Sequence, residues 1–135
     1  MRKSFIVVFL IISILILYFN RSWIIPNTYV SGWGASSAKS DNQSTTQTIK
    51  FNATIKNDGH YPVYVKEIKT LFLDSIKNNF QSGDQKISVN KWLKPNETTE
   101  VNGEWMFETS GIKDNNIMLA YPNNYATFKV NICPF

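Results

Sequence analysis

Residues 48–59 read Thr-Ile-Lys-Phe-Asn-Ala-Thr-Ile-Lys-Asn-Asp-Gly. Ile49, Phe51, Ala53 and Ile55 alternate with Lys50, Asn52, Thr54 and Lys56. Successive side chains of a strand point to opposite faces, so this period of two makes one apolar and one polar face. Asn57-Asp58-Gly59 then supplies turn chemistry, because Asp-Gly tolerates the positive φ of a tight reversal. The stretch is a half-buried strand running into a turn, and the residues after it repeat that theme.

A β-rich run follows from Val63 to Leu73. Its alternation slips between Val65 and Ile68, which predicts a bulge near Lys66-Glu67. Ser75 to Asp84 is polar and Asn-rich and reads as a loop or one irregular helical turn. Ile87 and Val89 open a strand toward Trp92, and Lys94-Pro95-Asn96-Glu97 is a second turn. Val101, Gly103, Trp105 and Phe107 alternate with Glu100, Asn102, Glu104, Met106 and Glu108. Ser110 to Asn115 turns again, Ile117 to Ala120 is short and apolar, and Pro122-Asn123-Asn124 turns once more. Ala126, Phe128, Val130 and Ile132 then alternate with Thr127, Lys129 and Asn131, a pattern strong enough to predict a last strand inside a sheet. No amphipathic helix of useful length competes after residue 46. Six or seven short strands separated by Gly, Pro and Asn turns predict an all-β domain, an antiparallel sandwich or small barrel, over 47–135.

Thr54-Ile55-Lys56-Asn57-Asp58-Gly59, then Pro62-Val63-Tyr64-Val65, and later Leu93-Lys94-Pro95-Asn96-Glu97-Thr98 carry a resemblance. Over residues 48–133 the chain resembles immunoglobulin-like β-sandwich ectodomains of membrane-tethered and secreted bacterial proteins, including the FxLYD-type and late-embryogenesis-abundant-type folds. The resemblance implies an antiparallel sandwich with an adhesion-like or scaffold role and no catalytic residues to carry over. The cysteine pair and intervening tryptophan of antibody domains are absent, so no subfamily is indicated.

At the other end the chain is of another kind. Phe5, Ile6, Val7, Val8, Phe9, Leu10, Ile11, Ile12, Ile14, Leu15, Ile16, Leu17, Tyr18 and Phe19 form an uncharged run broken only by Ser13. Fifteen residues rise about 22 Å as a helix, and extension through Arg21 to Trp23-Ile24-Ile25 brings the length to the ~30 Å of a hydrocarbon core. Arg21 would snorkel and Trp23 suits the headgroup level. No small-x-small triplet follows Phe19 closely; the best candidate, Ser36-Ser37-Ala38, lies far downstream for a signal peptidase. Residues 1–25 are therefore expected to be an uncleaved transmembrane signal anchor. Arg2 and Lys3 place its N-terminus in the cytoplasm and the remainder outside. Residues 26–46 carry Gly32, Gly34 and the tract Ala-Ser-Ser-Ala-Lys-Ser-Asp-Asn-Gln-Ser-Thr-Thr-Gln, too polar to order itself, and are expected to be a flexible stalk. Tyr29 and Trp33 within it would rest at the membrane interface.

Composition excludes other classes. The chain is 43% hydrophobic and 14% aromatic with only 18% charged residues, which is globular rather than disordered. A net charge of +4 invites a nucleic-acid reading, but from Lys39 onward 11 Lys face 10 Asp plus Glu, and the lysines are spread singly. Nucleic-acid binders concentrate cations because each neutralised phosphate adds affinity, so no nucleic-acid partner is expected. Cys133 is the sole cysteine and permits no intramolecular disulfide. His60 is the sole histidine and sits in a turn without a nucleophile motif such as Gly-x-Ser-x-Gly. Glu100, Glu104 and Glu108 lie on one strand face about 13 Å apart, wider than the ~5–9 Å of glycosidase pairs, and read as a solvated face. No cofactor or metal is expected. Tyr61, Tyr64, Tyr121 and Tyr125 fall at turns or out of phase with the core and are the candidate partner contacts. The expected protein is a non-enzymatic binding or scaffolding module of a bacterial envelope. It would touch the bilayer through its helix and another envelope protein, or itself, through its loops. The alternative is a soluble secreted factor released by cleavage near Ala38.

Overall fold

The structure is a computed structural model describing residues 2–19, 25–38, 45–121 and 124–133, with the backbone alone at 2–5. A helix, α1 (Arg2–Phe19), precedes β1 (Thr28–Ala38), β2 (Thr46–Asn57), β3 (Val63–Phe72), a 3-10 turn at Lys77–Asn79, β4 (Phe80–Gly83), β5 (Lys86–Leu93), β6 (Thr98–Glu108), a one-turn helix α2 (Ile117–Ala120) and β7 (Ala126–Cys133). The seven strands make two antiparallel sheets, ordered β1-β2-β6-β4 and β5-β3-β7.

The decisive stretch behaves as its alternation predicts. Ile49, Phe51, Ala53 and Ile55 of β2 are buried, and Val101, Trp105 and Phe107 of β6 join them from the next strand. Val63, Val65, Ile68 and Leu93 close the core from the opposite sheet. The Phe51 and Trp105 rings stack at 4.0 Å between centroids, 15° from parallel. Trp105 is fully buried, and its indole N–H donates to the Asp84 carbonyl at 3.2 Å. The predicted bulge is present: register shifts between Val65 and Glu67 against both β5 and β7.

Gly103 faces Phe51 across the β2–β6 ladder. A Cβ there would stand 2.6 and 2.7 Å from two Phe51 ring carbons and 2.9 Å from the Ile87 Cδ1. The ring is also stacked on Trp105, which limits how far it can yield. Gly103→Ala is expected to cost about 1–3 kcal/mol through overpacking, measured as a lowered thermal midpoint. An unchanged or raised midpoint would show that Phe51 has room to shift.

Several expectations are corrected. Residues 28–38 are not stalk: they form β1, paired with β2 from Thr28↔Asn57 to Ala38↔Thr48. Trp33 is not at a membrane interface. Its ring meets Tyr125 and Phe128 edge-on at 5.4 Å each and Trp105 at 6.3 Å. The polar composition of β1 misled because an edge strand needs few large side chains when one tryptophan reaches the core. Of the other residues expected in the stalk, Thr46 belongs to β2 and 39–44 lie outside the described residues. The stretch 75–84, expected as a loop or one irregular helical turn, holds the 3-10 turn at Lys77–Asn79 but then also β4, which pairs with β6. The short apolar run 117–120 is the helix α2. Asn116 caps it, accepting from the Met118 and Leu119 N–H groups at 3.0 and 3.3 Å. Buried Gln47 locks that cap by donating to Asn116 Oδ1 at 2.8 Å and accepting from the Ile117 N–H at 2.7 Å. The last strand, β7, is an edge of its sheet rather than an interior strand. The turn after β2 is closed by a side chain: Asn57 Oδ1 accepts from the Gly59 N–H at 3.0 Å.

Candidate functional site

Two features of this chain offer themselves to something outside it: α1 and the outer faces of the sheets. Every large apolar side chain described on α1 is exposed, from 48% at Leu15 to 79% at Phe19, and they lie on all sides of the helix. The polar break in its apolar run, Ser13, turns its hydroxyl back to the Phe9 carbonyl at 2.9 Å, which satisfies the group without water. Eighteen residues rise about 27 Å, against a hydrocarbon core of ~30 Å. Among the described residues no helix is long and apolar enough to cross a membrane. The side chains of Arg2, Lys3 and Phe5, and residues Arg21 and Trp23, lie outside the description.

The four tyrosines expected at a partner surface do not share one. Tyr125 is corrected outright: it is 1% exposed, packed among Trp33 and Trp105, and burial pushes its phenol up to about 12. It precedes the regular part of β7, where strict alternation does not yet hold. Tyr61 and Tyr121 are half-buried against the core. Tyr64 alone belongs to an outer face. Its hydroxyl donates to Asn90 Oδ1 at 3.3 Å, and its ring stands edge-on at 5.5 Å from Trp92. Trp92 is 57% exposed and was missed, although it is out of phase with Ile87, Val89 and Leu93 and so had to point outward.

The charged groups are distributed. Glu100 and Glu104 lie on the exposed face of β6, where Glu104 stands opposite Lys50. Glu108, at its end, accepts from the Ser110 hydroxyl at 2.7 Å. Among the described residues no group of three or more His, Cys, Asp and Glu could hold a metal ion. His60 and Cys133 are both exposed. Lysines that look scattered in the sequence come together across strands: Lys69 of β3 stands opposite Lys86 of β5 and Lys129 of β7. Directly opposed like charges cost stability, and pairing register cannot be read from one strand at a time.

Glu67, beside this row, is nearly buried at the bulge. Lys86 Nζ lies 2.9 Å from its carboxylate, and Asn131 Nδ2 donates to it at 2.7 Å. Hydrogen bonding from Lys86, then from Asn131, holds its carboxyl below the ordinary range. A carboxylate whose folded pKa is depressed stabilises the fold above its unfolded pKa and loses that contribution as pH falls through the folded value. Urea midpoints are therefore expected to fall as pH drops below about 4.3, the ordinary glutamate value, and Glu67→Gln should flatten that fall. An acid slope unaltered by Glu67→Gln would assign it to other carboxylates.

No family model matches this chain, and no curated protein matches it. A solved structure, described as a crystal structure of a protein from Archaeoglobus fulgidus, is similar at 8% identity with a TM-score of 0.35, covering 77% of this chain and 94% of that one.

Proposed function

We propose that this chain is a non-catalytic binding or scaffolding module of a bacterial envelope, held by α1 in the cytoplasmic membrane with its β-domain on the outer side. The observation that carries this reading is the surface of α1. A helix apolar all round is stable only in a protein core or in lipid, and 48–79% of each large side chain here is uncovered. The Ser13–Phe9 bond fits the same surroundings, because a hydroxyl in hydrocarbon must find its partner within the helix. Arg2 and Lys3 before the run favour a cytoplasmic N-terminus. The immunoglobulin-like ectodomain resemblance is in keeping with two antiparallel sheets.

The secreted alternative meets a physical objection. Cleavage near Ala38 would remove β1 and with it Trp33, which packs on Trp105, Tyr125 and Phe128. The test is membrane fractionation at alkaline pH with mass spectrometry of the native N-terminus. A chain retaining Phe5 to Phe19 in the membrane pellet supports the anchor. A mature chain beginning near Lys39 in the medium overturns it.

A further inference from the structure

Resting on the anchored reading, we infer that the end of the sandwich where the chain arrives from α1 sits on the lipid headgroup layer of that same membrane. The covalent tether is short. From Phe19 to Ile25 the chain advances six residues, at most ~22 Å fully extended. Beyond Ile25 it is already fixed to the domain: the Asp58 N–H donates to the Asn27 carbonyl at 2.7 Å. Pro26 shares a crevice of about 10 Å³ with Pro62, Trp92 and Cys133.

The groups gathered at this end suit a headgroup layer. Trp92 is 57% exposed, Ile25 47% and Tyr29 40%. Tyr29 stands at the start of β1 on one sheet, and the Tyr64–Trp92 pair stands on the other, where Tyr64 faces both Trp92 and Cys133 in register. Aromatics with one apolar and one polar side therefore flank the tether on both sheets, the arrangement that an interface between water and hydrocarbon favours. Anionic lipid meets little repulsion: Asp58 pairs with Lys56 at 2.8 Å and Glu97 with Lys91 at 3.7 Å, while Lys94 in the adjoining turn is exposed. The inference fixes an orientation. Ala38, at the far end of β1, points away from the bilayer.

The test uses the full chain in vesicles of phosphatidylethanolamine and phosphatidylglycerol containing a lipid with a nitroxide on its headgroup. Cys133 is labelled with a fluorophore as the single thiol. A second protein carries Ser36→Cys with Cys133→Ser, placing the label about 27 Å further along β1 from Thr28. Flotation of each sample with the vesicles reports the anchor separately. The expected result is that the Cys133 label falls to about half its intensity while the Ser36→Cys label is unchanged, and that Trp92→Ser with Tyr64→Ser reverses most of the loss. Neither label quenched in a chain that floats would overturn the inference and leave the anchor standing. Equal quenching at both positions, or quenching indifferent to the Trp92 and Tyr64 changes, would also overturn it. A chain that does not float removes the anchored reading and the inference with it.

Discussion

Asn57→Ala is expected to destabilise the β-domain by about 3–5 kcal/mol, the largest loss foreseen for a polar side chain in this protein. Asn57 is fully buried at the end of β2. Its Nδ2 donates to the Tyr61 carbonyl at 2.9 Å and to the Leu93 carbonyl at 3.0 Å, and its Oδ1 accepts from the Gly59 N–H. Its backbone N–H donates to Glu97 at 3.0 Å, and its carbonyl accepts from Asn96 at 2.7 Å. One residue thus ties the β2–β3 turn to the β5–β6 turn, across the two sheets. Truncation leaves three backbone groups without their partner, each costing about 1–3 kcal/mol when water cannot reach it. Asn57→Asp keeps the shape but sets a carboxylate against two carbonyls. It should be at least as damaging at neutral pH and partly relieved in acid, where the protonated group donates one bond. Asn52→Ala, which removes the exposed bond to Asn102, should stay within about 0.5 kcal/mol. Urea unfolding followed by tryptophan fluorescence separates these cases. A loss below about 1 kcal/mol for Asn57→Ala would mean that the junction repacks or takes up water.

Trp33→Ala should cost about 2–4 kcal/mol, somewhat less than the 3–5 of a fully buried tryptophan because this ring is half-buried. Three aromatic rings within 6.3 Å would lose their edge contacts, and β1 would lose its largest anchor in the core. Trp33→Phe should restore more than half of the loss, since a smaller ring still reaches Tyr125 and Phe128. The readout is the urea midpoint together with the near-ultraviolet dichroism of the aromatic cluster. A loss under about 0.5 kcal/mol would return residues 28–38 to the role of a linker.

These two residues mark how far the sequence could be read. β2, β3, β5, β6 and β7, with the bulge after Val65, follow from alternation alone, because each buries one face of a pleated strand. Trp33 lay in a tract whose serines and glycines obscure any period, and β1 becomes visible only once β2 exists to pair with it. Asn57 was legible as a turn residue. Its burial was not, because one of the carbonyls that it holds lies far outside its own turn, 36 residues away at Leu93. The same limit applies to the candidate site. The all-round apolar character of α1 is plain in the sequence, whereas the meeting of Pro26 with Trp92 depends on how sheets that are distant in sequence close over one another.

β1 also decides how the protein bears load. Its hydrogen bonds to β2 run across the strand direction, so a pull directed along β1 through the chain before Thr28 loads them in shear. Such tension shears the whole ladder at once and does not open it bond by bond from one end. Asp58, bonded to the Asn27 carbonyl at the point of entry, takes the first share of that force. A pull directed across the strand, away from β2, would peel it instead. Loaded along the strand, the connection at Thr28 is therefore a mechanically strong way to hang this domain from a fixed support.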